Sequence, residues 1–222
     1  MVGKVSGWRS VTLARHVRSR VVSPALPRSE RERLVRLIQY LNLAEMKAFC
    51  QQHELPLHIH VQCPDGSLRR TGDRDRKDVV LARILAFALR ARRTGPTIYR
   101  AAIVANAPLS ARLSDRTRLF YNQYEKHNPR FLAAMARLTA GVFRTGMIAR
   151  LVLRDFWTAG TAPTLRQFAG AWERARAAHT RPRPEGAYLV DRWRGEGGPG
   201  WKRVRVENAR AALAMLRELC RG

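Results

Sequence analysis

The segment Leu55–Ile84 reads LPLHIHVQCPDGSLRRTGDRDRKDVVLARI, and its two halves have different hydrophobic periods. Residues 58–71 alternate around Pro-Asp-Gly, which predicts a short β-hairpin. From Asp75 onward the apolar residues recur at helical spacing, so a helix follows. Its predicted buried stripe comprises Val80, Leu81, Ile84, Leu85 and Ala88. The same segment holds two His, one Cys, four Asp and six Lys or Arg, which makes it the main candidate for a functional site.

On both sides of this segment, the spacing of the apolar residues is mostly that of helices. Ser29 and Glu32 predict a capping box before a first helix, and residues 43–54 have the pattern of a second. Beyond the break near residue 95, helical patterns recur at 97–106, 115–127, 129–158 and 164–179. We therefore expect a mainly α fold, in which a small helical domain with an inserted β-hairpin precedes a helical bundle-like domain.

These patterns divide the chain into four regions. Tyr188 and Val190 alternate, as do Val204 and Val206, around a Gly-rich turn, which predicts a hairpin before a final helix that begins near Glu207. The predicted regions are a basic N-terminal arm (1–29), a helix–hairpin–helix module (30–93), a helical domain (97–180) and a C-terminal hairpin and helix (186–222).

The most unusual feature of the composition is charge. The chain has 42 Lys and Arg against 17 Asp and Glu, a net charge of +25 that is spread along its length. Such a density repels itself unless a polyanion neutralises it, so nucleic acid is the expected partner. GC-rich coding would also favour Arg over Lys, but it does not account for the shortage of acids.

The sequence also predicts a compartment. Only three Cys are present, which argues against a disulfide scaffold, and the N-terminus has no apolar signal region. The longest apolar run, Val79–Leu89, contains Arg83 and is too short to span a bilayer. We expect an intracellular protein, cytoplasmic or at the nucleoid in a bacterium, with no membrane partner.

A zinc site is the first alternative for the segment, because Cys50, His53, His58, His60 and Cys63 lie within fourteen residues. In an extended strand, however, His58 and His60 point to one face and Cys63 to the other. Cys50 falls on the apolar face of its helix, as a small core residue does. We predict no metal site.

A Mg²⁺-dependent nuclease is the second alternative, centred on Asp65, Asp75 and Lys77 in the pattern Pro-Asp followed by Asp-Arg-Lys. Asp65 belongs to a tight turn, where Pro-Asp-Gly is common. Asp75 precedes a helix, where an N-cap explains it. We therefore predict no catalytic residue and no cofactor, and keep the nuclease as the alternative.

The helices on both sides of the hairpin resemble the SAP motif, a small helix–loop–helix DNA-binding module. The resemblance covers about residues 42–90 and implies DNA binding. Two features depart from the motif: Glu54 replaces the usual Gly before Leu-Pro, and a hairpin at 57–75 replaces a short loop. The matching positions are Leu43, Met46, Lys47, Leu55 and Pro56, then Lys77, Val80, Leu81, Arg83 and Ile84.

Basic residues in the loop and second helix are the predicted nucleic-acid contacts. Loop cations precede a helix N-terminus, which itself favours anions. Arg76, Arg83 and Arg90 recur every seven residues and so share one stripe of the helix, either as a track for phosphates or as a solvated face. The predicted contacts are Arg69, Arg70, Arg74, Arg76, Lys77, Arg83 and Arg90.

Aromatic side chains that lie among basic residues suggest stacking on unpaired nucleobases. Tyr121 and Tyr124 lie in such a stretch, and Trp193 and Trp201, which flank a Gly-rich turn, are the stronger candidates for stacking. The sequence predicts a non-enzymatic, phosphate-dominated, weakly sequence-selective binder of duplex DNA, with RNA left open. A basic subunit of a larger nucleoprotein complex, with other proteins as partners, is a further alternative.

Overall fold

The computed structural model describes residues 26–178 and 200–221. It has a mainly α fold with a small sheet, which confirms the predicted class. Most of the predicted arm at 1–29 and the segment 186–199 lie outside the described residues. The helices of the described residues are α1 (Arg28–Leu37), α2 (Leu43–Gln52), α3 (Lys77–Arg90), α4 (Pro129–Leu138), α5 (Met147–Thr158), α6 (Leu165–Ala178) and α7 (Trp201–Leu219). Single 3-10 turns span Ile38–Tyr40 and Ala101–Ile103.

The predicted hairpin is present and belongs to a three-stranded sheet. Strands β1 (His58–Gln62) and β2 (Leu68–Arg74) pair antiparallel, and β3 (Ile98–Tyr99) pairs parallel to β1. The turn contains Gly66 at φ 82°, a conformation that favours glycine. Both Ile59 and Val61 of β1 are buried, so one face of the hairpin packs on the core.

Within residues 26–178 and 200–221, two hydrophobic clusters form the core. The first contains buried side chains from α1, α2, α3 and α7, including Leu34, Phe49 and Ile84. The second joins β1 and β3 to α4, α5 and α6, and includes Phe131 and Trp172. The hairpin contacts both clusters, because Leu57, just before β1, packs against the first, and Ile59 and Val61 of β1 belong to the second.

The C-terminal helix packs against the beginning of the chain. Ala209, Ala212 and Leu216 of α7 are buried in the first cluster, and Arg205 donates to Glu45 of α2 at 3.0 Å. The predicted strand at Val204 and Val206 is wrong, because both residues lie in α7, whose helical register buries its apolar face. Tyr188 and Val190 lie outside the described residues.

The helices predicted at 97–106 and 115–127 are wrong, because β3, a 3-10 turn and a loop occupy these residues, and the helix predicted at 129–158 is divided into α4 and α5. The helix starts also differ in part from the predicted ones. Helix α1 begins at Arg28 after Pro27 without a side-chain cap, so the capping role predicted for Ser29 is wrong. A capping box is present instead at α2, where Asn42 Oδ1 accepts from the Glu45 amide at 2.9 Å and Glu45 accepts in return. No helix among the described residues is long and apolar enough to cross a bilayer.

Candidate nucleic-acid interface

A cleft of about 540 Å³ lies between α2, the hairpin and the start of α3. Four cationic side chains line it, and we call this site the basic cleft: Lys47, Arg70, Arg74 and Lys77. Its floor is apolar and includes Leu41, Met46, Leu55, Leu57 and Val80. A concave site with an apolar floor and a few charged groups at its walls is the usual form of a binding pocket.

The strand register brings the two arginines of the basic cleft together. Arg70 pairs with His60 and Arg74 pairs with His58, so both arginines lie beside the histidine face of β1. Arg70 Nη2 lies 2.9 Å from His58 Nε2. Lys47 reaches the cleft from α2, and Lys47, Arg70 and Arg74 are all exposed.

Lys77 has a structural contact as well as a place in the cleft. Its half-buried ammonium group donates to the backbone carbonyl of Gln39, in the 3-10 turn after α1. This contact attaches the start of α3 to the first helices. Lys77 therefore adds positive charge to the cleft but is not a freely mobile phosphate ligand.

Arg83 is not placed as the sequence predicts. Its side chain is only 6% exposed and forms an ion pair with the Asp75 carboxylate, itself 3% exposed, at 2.5 Å. Arg83 also donates to the Pro56 carbonyl and to Thr97 Oγ1, both at 3.0 Å. The predicted phosphate contact at Arg83 is therefore wrong, because the segments before β1 and β3 cover this face of α3.

The predicted N-cap at Asp75 is also wrong. The N-cap of α3 is Arg76, which makes no side-chain capping bond, while Asp75 accepts from Arg83 instead. The Arg76 side chain is 19% exposed and pairs with Asp78 at 2.9 Å and with Asp155 of α5 at 3.3 Å. Arg76 thus links α3 to α5.

The remaining predicted contacts, Arg69 and Arg90, are exposed but lie away from the basic cleft. Arg69 pairs with Val61, whose side chain points to the core side of β1. Arg90 is at the opposite end of α3, a helix of 14 residues that is roughly 20 Å long. The structure therefore brings together Arg70, Arg74 and Lys77 of the predicted set, and adds Lys47.

The proposed nuclease residues do not converge. Asp65 is at the tip of the hairpin, where its carboxylate accepts from the Ser67 hydroxyl at 2.6 Å and the Ser67 amide at 2.9 Å. These hydrogen bonds hold the pKa of Asp65 below its usual value. Asp75 is at the base, separated from the tip by the seven residues of β2, roughly 20 Å.

The described residues contain no group of three His, Cys, Asp or Glu side chains that could hold a metal ion. Cys50 is buried in the first cluster, as its position on α2 predicts, and burial raises the pKa of its thiol to about 11.

The two tryptophans predicted to stack on bases cannot be placed against the cleft. Trp193 lies outside the described residues. Trp201 begins α7, but its side chain is also outside them.

Sequence reasoning missed Lys47 and His58 as members of the cleft. The only local signal for Lys47 was its place in the SAP-like pattern, next to the buried Met46.

Comparison of the chain with protein-family models, with curated proteins and with solved structures finds no match in any of the three.

Proposed function

We propose that the protein binds nucleic acid, and duplex DNA in particular, through the basic cleft. One observation carries this proposal: cationic side chains from α2, β2 and α3 converge on a cleft in which the one carboxylate that the described residues supply, Asp75, is already paired with Arg83. The cleft is therefore strongly positive, and a phosphodiester backbone is the polyanion that fits it.

Binding of this kind is dominated by phosphates and only weakly selective for sequence. Arg and Lys contacts to phosphate oxygens position a protein on the duplex but do not distinguish base pairs. Residues 30–93 would act as the SAP-like module that the sequence suggests, and the helical bundle-like domain that follows would support the hairpin from its other side.

The proposal is tested with a charge-matched pair of triple variants. The first, Lys47→Ala/Arg70→Ala/Arg74→Ala, removes three cations from the basic cleft but keeps Lys77, whose contact with Gln39 supports the fold. The control, Arg112→Ala/Arg130→Ala/Arg174→Ala, removes three exposed arginines that make no ion pair with the described residues.

Fluorescence anisotropy with a labelled duplex then measures affinity and its salt dependence. We expect the cleft variant to lose roughly 10- to 100-fold in affinity and about one unit of salt slope per phosphate contact removed. The control should lose far less. Equal losses in the two variants would show diffuse electrostatic attraction and rule out the cleft as the binding site.

A further inference from the structure

A second cavity, of about 240 Å³, lies where α5 meets β2 and the loop at residues 104–128. We call it the tyrosine cavity; its walls include Tyr121 and Tyr124 of the loop and Arg150 and Arg154 of α5. Asp73 of β2 also lines it, whereas the next residue, Arg74, lines the basic cleft. The two sites therefore lie on different sides of β2.

The described residues neutralise the positive charge of the tyrosine cavity only in part. Arg150 and Arg154 are one turn apart on α5, so they lie on the same face of the helix. Neither guanidinium group forms an ion pair with a carboxylate of the described residues.

The acids near Arg154 already have other partners. Asp75 and Asp155 lie with Arg154 around an adjacent cavity, but Asp75 pairs with Arg83 and Asp155 pairs with Arg76. Asp73 accepts a hydrogen bond from the Tyr121 hydroxyl at 2.9 Å. Two guanidinium groups thus face one carboxylate, and the cavity is suited to an anion.

The loop that carries the tyrosines is held in place by hydrogen bonds. The Tyr121 amide donates to the Ile103 carbonyl at 2.9 Å, and Gln123 Nε2 donates to the Ala107 carbonyl at 3.0 Å. Between them, Asn122 has φ 76°, a left-handed conformation that Asn tolerates better than most residues. Asn122 lines the cavity, and an Asn side chain carries an NH₂ group that can donate to an anion.

The aromatic walls are equally fixed. The Tyr121 ring packs edge-on against Trp157, with centroids 5.4 Å apart, and Tyr124 packs edge-on against Phe131 at 5.5 Å. A tyrosine hydroxyl is already neutral at neutral pH, and burial raises the pKa of both tyrosines further, so neither repels an anion. The cavity is therefore formed before any ligand binds.

We propose that the tyrosine cavity is a second phosphate-binding site, in which Arg150 and Arg154 hold the phosphate group of a nucleotide or of a nucleic-acid strand. Guanidinium groups bind phosphate through paired, charge-assisted hydrogen bonds. The volume is below the roughly 300–1,000 Å³ of pockets for larger ligands, which fits a phosphate with part of its sugar. The site is separate from the basic cleft and does not depend on it.

The test is an NMR titration of the full chain with inorganic phosphate, in a phosphate-free buffer at about 0.15 M salt to screen long-range attraction. We expect the backbone amides of residues 121–124 and of Leu153 to shift and saturate. The variant Arg150→Gln/Arg154→Gln should weaken this binding at least 10-fold. The control Arg112→Gln/Arg116→Gln removes the same charge from exposed positions and should leave it unchanged.

Two further arms identify the source of the phosphate. Adenosine monophosphate should bind and adenosine should not; a single-stranded oligonucleotide that binds more tightly than the monophosphate would identify a strand as the ligand. If the double variant fails to fold, Arg150→Gln alone, at an exposed position, should still weaken binding. Binding of adenosine equal to that of the monophosphate, or equal losses in the variant and its control, would contradict the proposal.

Phosphate binding in the tyrosine cavity should not depend on the cations of the basic cleft. The variant Lys47→Ala/Arg70→Ala/Arg74→Ala should retain the phosphate-induced shifts at residues 121–124 even if it no longer binds duplex DNA. Loss of those shifts in the cleft variant would show that the two regions form one site, and would contradict a second one.

Discussion

Arg83 and Asp75 form an ion pair at the junction of α3 with the segments that lead into β1 and β3. Arg83 also holds the Pro56 carbonyl and Thr97, so one guanidinium group joins three parts of the chain. Removal of one partner would leave a buried charge without compensation, which is far more costly than the loss of an exposed pair. The pair therefore positions the hairpin relative to α3.

At the scale of single residues, we predict that Asp75→Ala destabilises the protein by about 3 kcal/mol or more, since it leaves Arg83 buried and unpaired. Urea denaturation followed by circular dichroism measures the change. Asp78→Ala is the control, because Asp78 is in the first turn of the same helix but is 42% exposed. It should cost less than about 1 kcal/mol.

A similar small loss in both Asp75→Ala and Asp78→Ala would contradict the buried pair. A double-mutant cycle with Arg83→Met adds a second check. If the two residues interact directly, the double variant should lose less stability than the sum of the single variants.

At the scale of elements, α7 completes the first hydrophobic cluster. It contacts α1, α3 and the 3-10 turn Ile38–Tyr40, and its buried face includes Ala212 and Leu216, both fully inaccessible. Arg205 strengthens the attachment by donating to Glu45 and to the Tyr40 carbonyl. Glu45 also belongs to the capping box of α2, so α7 contacts the start of a helix that lines the basic cleft.

We predict that Leu216→Ala destabilises the protein by about 2–5 kcal/mol, because it removes buried methyl groups and leaves a cavity. Val204→Ala is the control on the same helix, since Val204 is 40% exposed and should lose well under 1 kcal/mol on substitution. Thermal denaturation of the two variants measures the difference. Equal stability of Leu216→Ala and wild type would show that α7 does not pack on the first cluster.

At the scale of the whole molecule, Lys and Arg far outnumber the acids that could pair with them. The ion pairs of the described residues engage most of their carboxylates, and these acids therefore do little to neutralise the remaining Arg and Lys. The paired acids are Glu30, Glu32, Glu45, Glu54, Asp75, Asp78, Asp115, Asp155 and Glu207. A net charge of +25 then attracts a polyanion from any direction.

We predict that wild-type protein binds duplex DNA with a steep salt dependence, because each phosphate contact releases counterions. Affinity should fall about 100-fold between about 50 and about 200 mM salt, which corresponds to about four phosphate contacts. Anisotropy titrations at several salt concentrations measure the slope. The same titrations with duplex RNA compare the two polymers, and failure to bind either one at low salt would contradict a nucleic-acid function.

Local sequence predicted α3, the hairpin and the charge, but not the region 97–127, where β3, a 3-10 turn and a loop take the place of the helices predicted at 97–106 and 115–127. The apolar spacing of Val80, Leu81 and Ile84 predicts α3, and Pro-Asp-Gly with alternating flanks predicts the hairpin, because each depends on contacts between near neighbours. Cys50 is buried, as its place on α2 predicts. The excess of Arg follows from composition and needs no structure.

Tertiary structure decided which charged residues are exposed and which parts of the chain meet. On a helical wheel Arg83 is equivalent to Arg90, yet only Arg90 is exposed, because distant segments cover Arg83. Lys47 and Arg74 share a cleft, and Arg205 contacts Glu45 across most of the chain. Such contacts depend on how separate apolar faces pack together, and the periodicity of a single segment carries no information about its distant partner.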